Sequence, residues 1–257
     1  MANTSYQSLS REEIGELAPH ATVVLPVAAI EQHGPHLPVW VDSLLGETIA
    51  TAAAEAISDE VPVLVCPVVS CGASHHHLDY PGALSLSQDT LLKVLIDLTE
   101  SLVKSGFRRI YLLNSHGGNE ELVRLAVREL VLRHDVLAGA ASYWMLAWQA
   151  LMTEGRALEL GRVPGHAGGF ETSLMLAVRP DLVRRDLLPL PLRQQAELSN
   201  ANPAGSPLIQ RHGSWRDSGG YSDDAAQASA ERGKELLDLI VREVAQALSS
   251  FHRQLSN

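Results

Sequence analysis

The feature that most constrains the fold of this chain is an alternation of short apolar runs with longer helix-period stretches. Four apolar runs have the length of buried strands: residues 22–27, 61–69, 109–113 and 136–143. Three stretches between them have helical periodicity: residues 43–58, 87–105 and 120–133. Strands that alternate with helices predict α/β architecture with a mainly parallel sheet.

Polar loops follow the first three apolar runs. Ligands of open α/β sheets bind outside the carboxyl ends of the strands, which is where these loops are expected. The polar residues in the three loops are therefore the first candidates for a functional site.

The first of these loops contains Glu31, His33 and Asp42. Two residues that are two positions apart point to the same side of an extended backbone, so Glu31 and His33 are expected to share a face. Carboxylate oxygens and imidazole nitrogens suit zinc, manganese or iron. The alternative is a hydrogen-bonded loop whose histidine has an ordinary partner.

His116 follows the third run and is flanked by Ser115, Gly117 and Gly118. Glycines leave the imidazole unhindered and allow close approach of backbone to a ligand. A glycine-rich loop before a helix can also hold phosphate. This loop lacks the lysine and the spacing of the known phosphate motifs, so a metal ligand is the preferred interpretation.

Glu171 is predicted to open a helix over residues 172–178, at the end of the glycine-rich segment 161–171. His166 lies five residues earlier, and the intervening glycines allow both side chains to reach one pocket. A carboxylate in a first helical turn also interacts favourably with the helix dipole, so a purely structural role is the alternative.

Adjacent residues of an extended loop alternate sides, so the run His75-His76-His77 is not expected to bind one ion. We predict that His77, with Ser74, faces the pocket and that the other two histidines face solvent. Three tryptophans are candidate pocket walls, with ordinary core or interface packing as the alternative: Trp144, Trp148 and Trp215.

Composition excludes several classes of protein. The chain has 257 residues, 46% of them hydrophobic, and a formal net charge of −10 without a long basic run. Nucleic acid and anionic membrane surfaces are therefore not expected as partners. Two cysteines, Cys66 and Cys71, fit buried thiols in a reducing compartment. No run is long enough to cross a bilayer and the N-terminus lacks signal-peptide order, so a cytoplasmic protein is expected.

The last part of the chain has weaker signals. Residues 189–220 are rich in Pro, Gly, Ser and Asn and are predicted to form a long loop. Residues 223–252 are predicted to form one amphipathic helix that packs its apolar face on the core.

Four motifs, taken in order, resemble the creatininase (creatinine amidohydrolase) family: Glu31–Pro38 with Asp42, Tyr80–Leu86, Asn114–Asn119 and His166–Ser173. The resemblance implies a single three-layer α/β/α domain over residues 1–257. It also implies a homohexamer and a hydrolytic site with two divalent metal ions, which can be zinc, manganese or iron.

The resemblance also implies roles for individual residues. Glu31 and His116 are similar to the ligands of one metal, His33 and Glu171 to those of the other, and Asp42 to the bridge. His166 is similar to the family's catalytic histidine. Ser74, His77 and Gly118 are predicted substrate-binding positions. Two cations sharing a carboxylate lower the pKa of a water between them, and a histidine can protonate the leaving nitrogen.

The motifs depart from creatininase itself at two places. Gly118 stands at the position where creatininase looks to have a glutamate that is thought to act as acid and base. Arg162–Gly165 stands where creatininase looks to have a Trp-Asp pair. The expected activity is therefore hydrolysis of a C–N bond in a small cyclic amide or formamide. The alternatives are trimming of a short precursor peptide, hydrolysis of an inosose-derived or sugar-derived ring ketone, and a metal-binding module without turnover.

Overall fold

A computed structural model describes residues 3–188, 190, 212–213, 215–216 and 218–255. Within these residues, four parallel strands form one sheet: β1 Thr22–Val27, β2 Val63–Val65, β3 Arg109–Asn114 and β4 Leu137–Ser142. Their order is β2-β1-β3-β4, so β1 and β3 are the central strands. The predicted α/β class and the parallel sheet are confirmed.

Alternate residues of the strands face opposite sides of the sheet, and each side is covered by helices. Val24 and Tyr111 belong to one hydrophobic core, whereas Val23 and Ile110 belong to the other. Because both faces are apolar, the central strands are nearly continuous hydrophobic runs, as expected for a parallel sheet between two helical layers.

Eight α-helices lie in the described part of the chain: α1 Arg11–Leu17, α2 Val41–Ile57, α3 Gln88–Lys104, α4 Glu120–Arg133, α5 Tyr143–Leu146, α6 Trp148–Thr153, α7 Gly169–Val178 and α8 Ala230–His252. Helices α1, α3 and α4 cover one face of the sheet, and α2 and α5 to α8 cover the other. The architecture is the three-layer α/β/α sandwich.

Capping residues define several helix ends. The Ser10 hydroxyl accepts a hydrogen bond from the Glu13 amide, and the Glu13 carboxylate accepts one from the Ser10 amide. Ser87 caps α3 in the same way through the amide of Thr90. Gly106 follows α3 with a φ of +101°, a left-handed conformation that favours glycine.

Three predicted boundaries are wrong. The second strand is shorter than predicted because Pro67 has no amide hydrogen for a ladder, although Val69 still bridges to Val27. Helix α7 starts at Gly169, three residues before the predicted position. Helix α8 starts at Ala230 and not at residue 223, because the Ser229 hydroxyl caps it at that point.

The predicted loop over residues 189–220 lies mostly outside the described residues, and residues 190, 212–213, 215–216 and 218–220 of it are described. Among the helices of the described part, none combines the length and the apolar character that crossing a bilayer requires. Both cysteines are free thiols; Cys66 is buried and Cys71 is half-buried.

Candidate metal centre

The candidate site lies at the carboxyl edge of the sheet, where β1 and β3 end side by side. Val27 pairs with Asn114 at the last position of these strands. Glu31 and His33 follow β1 and His116 follows β3. The strand order reverses between β1 and β3, and that reversal is where open α/β sheets bind ligands.

Two helix starts bring additional carboxylates to the same place. Asp42 lies in the first turn of α2, and Glu171 lies in the first turn of α7. The structure thus brings together all five predicted metal ligands, and each is at most 5% exposed. The five come from four separate segments of the chain, so the cluster is a product of the tertiary fold.

One group of three side chains consists of Glu31, Asp42 and His116. The Nδ1 atom of His116 lies 3.1 Å from Oδ2 of Asp42 and 3.3 Å from Oε1 of Glu31. One donor atom from each residue lies within 4.8 Å of the other two. Two oxygens and one nitrogen at this separation can coordinate one divalent cation.

A second group of three shares Asp42 and adds His33 and Glu171. The Nε2 atom of His33 lies 3.2 Å from Oδ1 of Asp42 and 3.7 Å from Oε2 of Glu171. These donor atoms also lie within 4.8 Å of one another. Asp42 therefore presents one oxygen to each group, which is the arrangement of a carboxylate that bridges two cations.

Several donor atoms in the two groups are buried without a hydrogen-bond partner among the described residues. They are Oε2 of Glu31, Nε2 of His33 and Oδ2 of Asp42. Buried polar atoms are normally hydrogen-bonded or coordinate a metal, because leaving them unpaired costs free energy. The residues present therefore fit a pair of divalent cations.

The electrostatics of the cluster favour the binding of positive charge, either protons or cations. Burial opposes ionisation of Glu31, yet the charged His116 imidazole holds its pKa well below the usual range. Burial lowers the pKa of His33, but Asp42 and Glu171 outweigh burial and raise it to about 10. Burial raises the pKa of Glu171 to about 8, against the effect of His33. In the metal-free protein, protons occupy sites where cations would bind.

Outer contacts, meaning polar contacts of the predicted ligands with other groups of the protein, fix the orientation of the ligands. The Nε2 atom of His116 lies 3.3 Å from both the Ser74 hydroxyl and the carbonyl oxygen of Ala73. The Ala167 amide donates to Oε2 of Glu171 at 2.6 Å. The Nδ1 atom of His33 lies 3.2 Å from the carbonyl oxygen of Glu31. Such contacts select the ring nitrogen that faces a metal and hold it in place.

Two further imidazoles lie close to the Glu31 carboxylate. The Nε2 atom of His77 and the Nδ1 atom of His166 each lie 3.5 Å from Oε1 of Glu31. Their rings stack with centroids 4.2 Å apart. Burial holds the pKa values of both residues well below the usual range, so both imidazoles are neutral.

Gln32 orients both of these rings, His77 through its side-chain amide and His166 through its backbone carbonyl, a role that the sequence analysis did not predict. Its Oε1 accepts from the Gly34 amide at 3.0 Å, so its amide nitrogen faces the histidines. That nitrogen donates to Nδ1 of His77 at 2.8 Å and lies 3.0 Å from Nε2 of His166. The only sequence signal for this role was the position of Gln32 between two predicted ligands.

The backbone carbonyl of Gln32 defines the proton position on His166. This oxygen lies 2.8 Å from Nε2 of His166. A carbonyl oxygen can only accept, so the ring proton is on Nε2 and the lone pair of Nδ1 points toward Glu31.

The histidine run forms a single 3-10 turn, His75–His77, so the predicted extended loop is wrong. The predicted exposure is nevertheless confirmed, because His77 and Ser74 are buried and the other two histidines are exposed. The turn places consecutive side chains around an axis, which lets the His76 ring also stack on His116 at 5.7 Å.

One of the three tryptophans lies at the site. The Trp215 ring lies 4.7 Å from the His77 ring and 4.9 Å from the His166 ring. Trp144 is buried in the core and Trp148 packs against that core. The alternative of ordinary packing therefore applies to these two.

Gly118 lies where the backbone approaches the first group of ligands closely. A Cβ atom at this position would collide with the carbonyl oxygen of Ala73 and would lie 2.6 Å from Nε2 of His116. Gly117, directly before it, has open space around the same position. The glycine is therefore required at residue 118 by the packing against His116.

Comparisons with known proteins identify the relatives of this chain. The sequence matches the creatininase family, described as creatinine amidohydrolase, over residues 7–248. It is 32% identical to creatinine amidohydrolase of Pseudomonas putida over 245 residues, which is 88% of each chain. It is 28% identical to the mycofactocin precursor peptide peptidase of Mycobacterium ulcerans over 84% of this chain and 79% of that protein.

A third relative is the 3-dehydro-scyllo-inosose hydrolase of Thermotoga maritima, 26% identical over 70% of this chain and 58% of that protein. A crystal structure of creatinine amidohydrolase superimposes with a TM-score of 0.77 at 29% identity, covering 97% of this chain and 98% of that one. Similar creatininase structures include a zinc–zinc form and a manganese form. The chain therefore belongs to the creatininase family of hydrolases.

Proposed function

We propose that this protein is an amidohydrolase that uses two divalent cations to cleave a C–N bond of a small cyclic amide or formamide. The observation that carries the proposal is the position of Asp42, which presents one carboxylate oxygen to each of two groups of buried ligands. Hydrolases among the relatives, including an amidohydrolase, support the reaction class.

The proposed ligand sets follow the two groups. Glu31, Asp42 and His116 would hold one cation, and His33, Asp42 and Glu171 would hold the other. Zinc, manganese and iron all accept such mixed oxygen and nitrogen donors. Two bound cations supply an activated water at neutral pH and polarise the carbonyl group that is attacked.

His166 is the proposed group for proton transfer. Its Nε2 proton is held by the carbonyl oxygen of Gln32, so Nδ1 is free to accept a proton and pass it to the leaving nitrogen. Burial keeps this imidazole neutral before the reaction, as a proton acceptor requires. Position 118 is glycine, so no carboxylate there competes for this role.

Ser74, His77 and Gly118 are the proposed substrate-side positions. His77 accepts from Gln32 at Nδ1, so its Nε2 carries a proton that faces the site. A neutral imidazole with this tautomer can donate a hydrogen bond to a substrate oxygen. Trp215 adds an apolar ring against His77 and His166 and is the proposed wall of the substrate pocket.

A second candidate is trimming of a short precursor peptide, or hydrolysis of an inosose-derived ring ketone. It is favoured by the two relatives with those activities and by Gly118, which removes a side chain from the pocket. A metal-binding module without turnover is the least favoured function, because the hydrolases among the relatives support turnover.

The assembly and location are also proposals. We propose a single-domain protein that forms a homo-oligomer, a hexamer as the family resemblance implies. Exposed apolar side chains on α3 and α4 support an interface there, with Leu132 at 80% exposure and Leu125 at 41%. Free Cys66 and Cys71 support a reducing, cytoplasmic location. Sedimentation velocity would give the mass of the assembly.

Metal analysis combined with amide hydrolysis tests the function. Purified protein should hold two metal equivalents per chain and should hydrolyse members of a panel of cyclic amides and formamides. Chelation should abolish activity, and Glu31→Gln should lose one metal equivalent and the activity. Glu129→Gln, which changes a partly exposed carboxylate on α4, is the matched control. Protein that purifies without metal and is indifferent to chelators would contradict the proposal.

A further inference from the structure

The segment from Gly161 to Gly169 carries His166 and leads into the turn that carries Glu171. It is not part of a long helix or strand, so its shape depends on contacts with other parts of the chain. Two consecutive residues that precede α8, Ser222 and Asp223, supply contacts along the segment.

Asp223 binds both ends of this segment. Its Oδ2 accepts a hydrogen bond from the Arg162 amide, and its Oδ1 accepts one from the Gly169 amide, both at 3.1 Å. The carboxylate fits closely, because a side chain on Gly168 would collide with it and a Cβ on Gly161 would lie 2.6 Å from Oδ1. One carboxylate thus fixes the separation of residues 162 and 169.

Ser222 binds the middle of the segment. Its hydroxyl accepts from the His166 amide at 2.8 Å and donates to Oδ2 of Asp223 at 2.9 Å. Its own amide donates to the carbonyl oxygen of His166 at 2.8 Å. The backbone of His166 is therefore held at both its amide and its carbonyl group.

The contact with Gly169 also completes the start of α7. The residue before this helix is Gly168, which has no side chain to cap the free amides. Asp223 supplies the missing acceptor and a negative charge at the amino end of the helix, where both are favourable. Glu171 lies in this first turn, two residues after the amide that Asp223 binds.

We propose that Ser222 and Asp223 are positioning residues that set His166 and Glu171 relative to the metal centre. Asp223 positions Glu171, and so acts on the cation held by His33, Asp42 and Glu171. Ser222 positions His166, and so acts on proton transfer. This inference rests on the proposed two-metal function.

Zinc titration against a chromophoric chelator tests the proposal. In Asp223→Ala, the second zinc equivalent should bind about 10- to 100-fold more weakly, the loss typical of removing an outer contact of a metal ligand. The first equivalent should stay within about twofold of the wild-type value, because its ligands do not depend on α7. Glu171→Gln should lose the same equivalent and is the positive control.

Asp224→Ala is the matched negative control. Asp224 is adjacent, and its carboxylate accepts from the amides of Leu190 and Ala226, away from the segment. This variant should bind both zinc equivalents as the wild type does. Ser222→Ala should keep both equivalents and lower kcat with little change in KM, whereas Ser222→Thr, which keeps the hydroxyl, should restore kcat.

Asp223→Asn serves if the alanine variant does not fold, since it keeps the side-chain shape and one acceptor oxygen. It should weaken the second equivalent less than alanine does. Wild-type affinity for both equivalents in the Asp223 variants, or an equal loss at both, would overturn the inference while leaving the two-metal function intact. A wild-type protein that binds only one equivalent contradicts the proposed function, and the inference with it.

Discussion

The Nδ1 atom of His116 lies 3.1 Å from Oδ2 of Asp42, which joins the end of β3 to the first turn of α2 inside the fold. The other oxygen of Asp42 lies 3.2 Å from His33, so this carboxylate is the one side chain that belongs to both groups of ligands. Removing its charge should therefore act on both cations at once, whereas loss of any other ligand acts on one.

Asp42→Asn is expected to lose both metal equivalents and all detectable hydrolysis. An amide cannot bridge two cations with two anionic oxygens, so the loss of affinity should exceed the roughly 10- to 100-fold that outer contacts contribute. Elemental analysis after dialysis measures it. Asp97→Asn, on the exposed side of α3, should keep wild-type metal content. Retention of two equivalents by Asp42→Asn would exclude the bridging role.

The stability of the metal-free protein should fall as the pH rises from about 6.5 to about 10. The folded-state pKa values of Glu171 and His33 are raised to about 8 and about 10, above their ordinary values of 4.5 and 6.5. The folded protein therefore binds more protons than the unfolded chain in this window, and that stabilisation is lost as those protons leave.

Bound zinc replaces the same protons, so the increase in Tm on adding zinc should be larger at pH 8.5 than at pH 6. Differential scanning calorimetry at both pH values measures this difference. Zinc titration in two buffers of different ionisation enthalpy should also reveal proton release. An increase in Tm that is independent of pH, without proton release, would contradict the assigned ligands.

Local sequence signals were sufficient for most of the fold. Apolar runs predicted β1 and β3, and helical periodicity predicted α2, α3 and α4. The predicted start of α8 at residue 223 is wrong, because nothing in the local pattern shows that Asp223 binds another segment of the chain. Its carboxylate is instead bound by the amides of Arg162 and Gly169, about 60 residues earlier, and no local pattern contains that contact.

The candidate site was also predicted only in part from the sequence. Spacing alone left Glu31 and His33 open between a metal site and a hydrogen-bonded loop, and the grouping of ligands came from the family resemblance. Gln32 was not predicted, because an amide carries neither charge nor metal affinity that would distinguish it. Its role depends on where the fold brings His77 and His166.

His166→Gln is expected to lower kcat by roughly 100- to 10,000-fold, the range for removal of a general acid or base. Glutamine has a similar size but cannot carry a proton between two groups, so metal content should stay at the wild-type value. Steady-state kinetics with parallel metal analysis separates these effects. His20→Gln, at an exposed position after α1, is the control. Wild-type turnover by His166→Gln would assign the proton transfer to another residue.

Two neighbouring glycines offer a sharper comparison, because they differ in what surrounds them. Gly118→Ala places a methyl group against the carbonyl oxygen of Ala73 and 2.6 Å from Nε2 of His116, whereas Gly117→Ala meets nothing within 4 Å. The first substitution should lower the free energy of unfolding by about 1–3 kcal/mol, the usual cost of overpacking, and should weaken zinc binding through His116. The second should leave zinc affinity unchanged. Chemical denaturation and zinc titration of both variants measure the difference. Equal stability and equal zinc affinity of the two variants would contradict the close packing of Gly118 against His116.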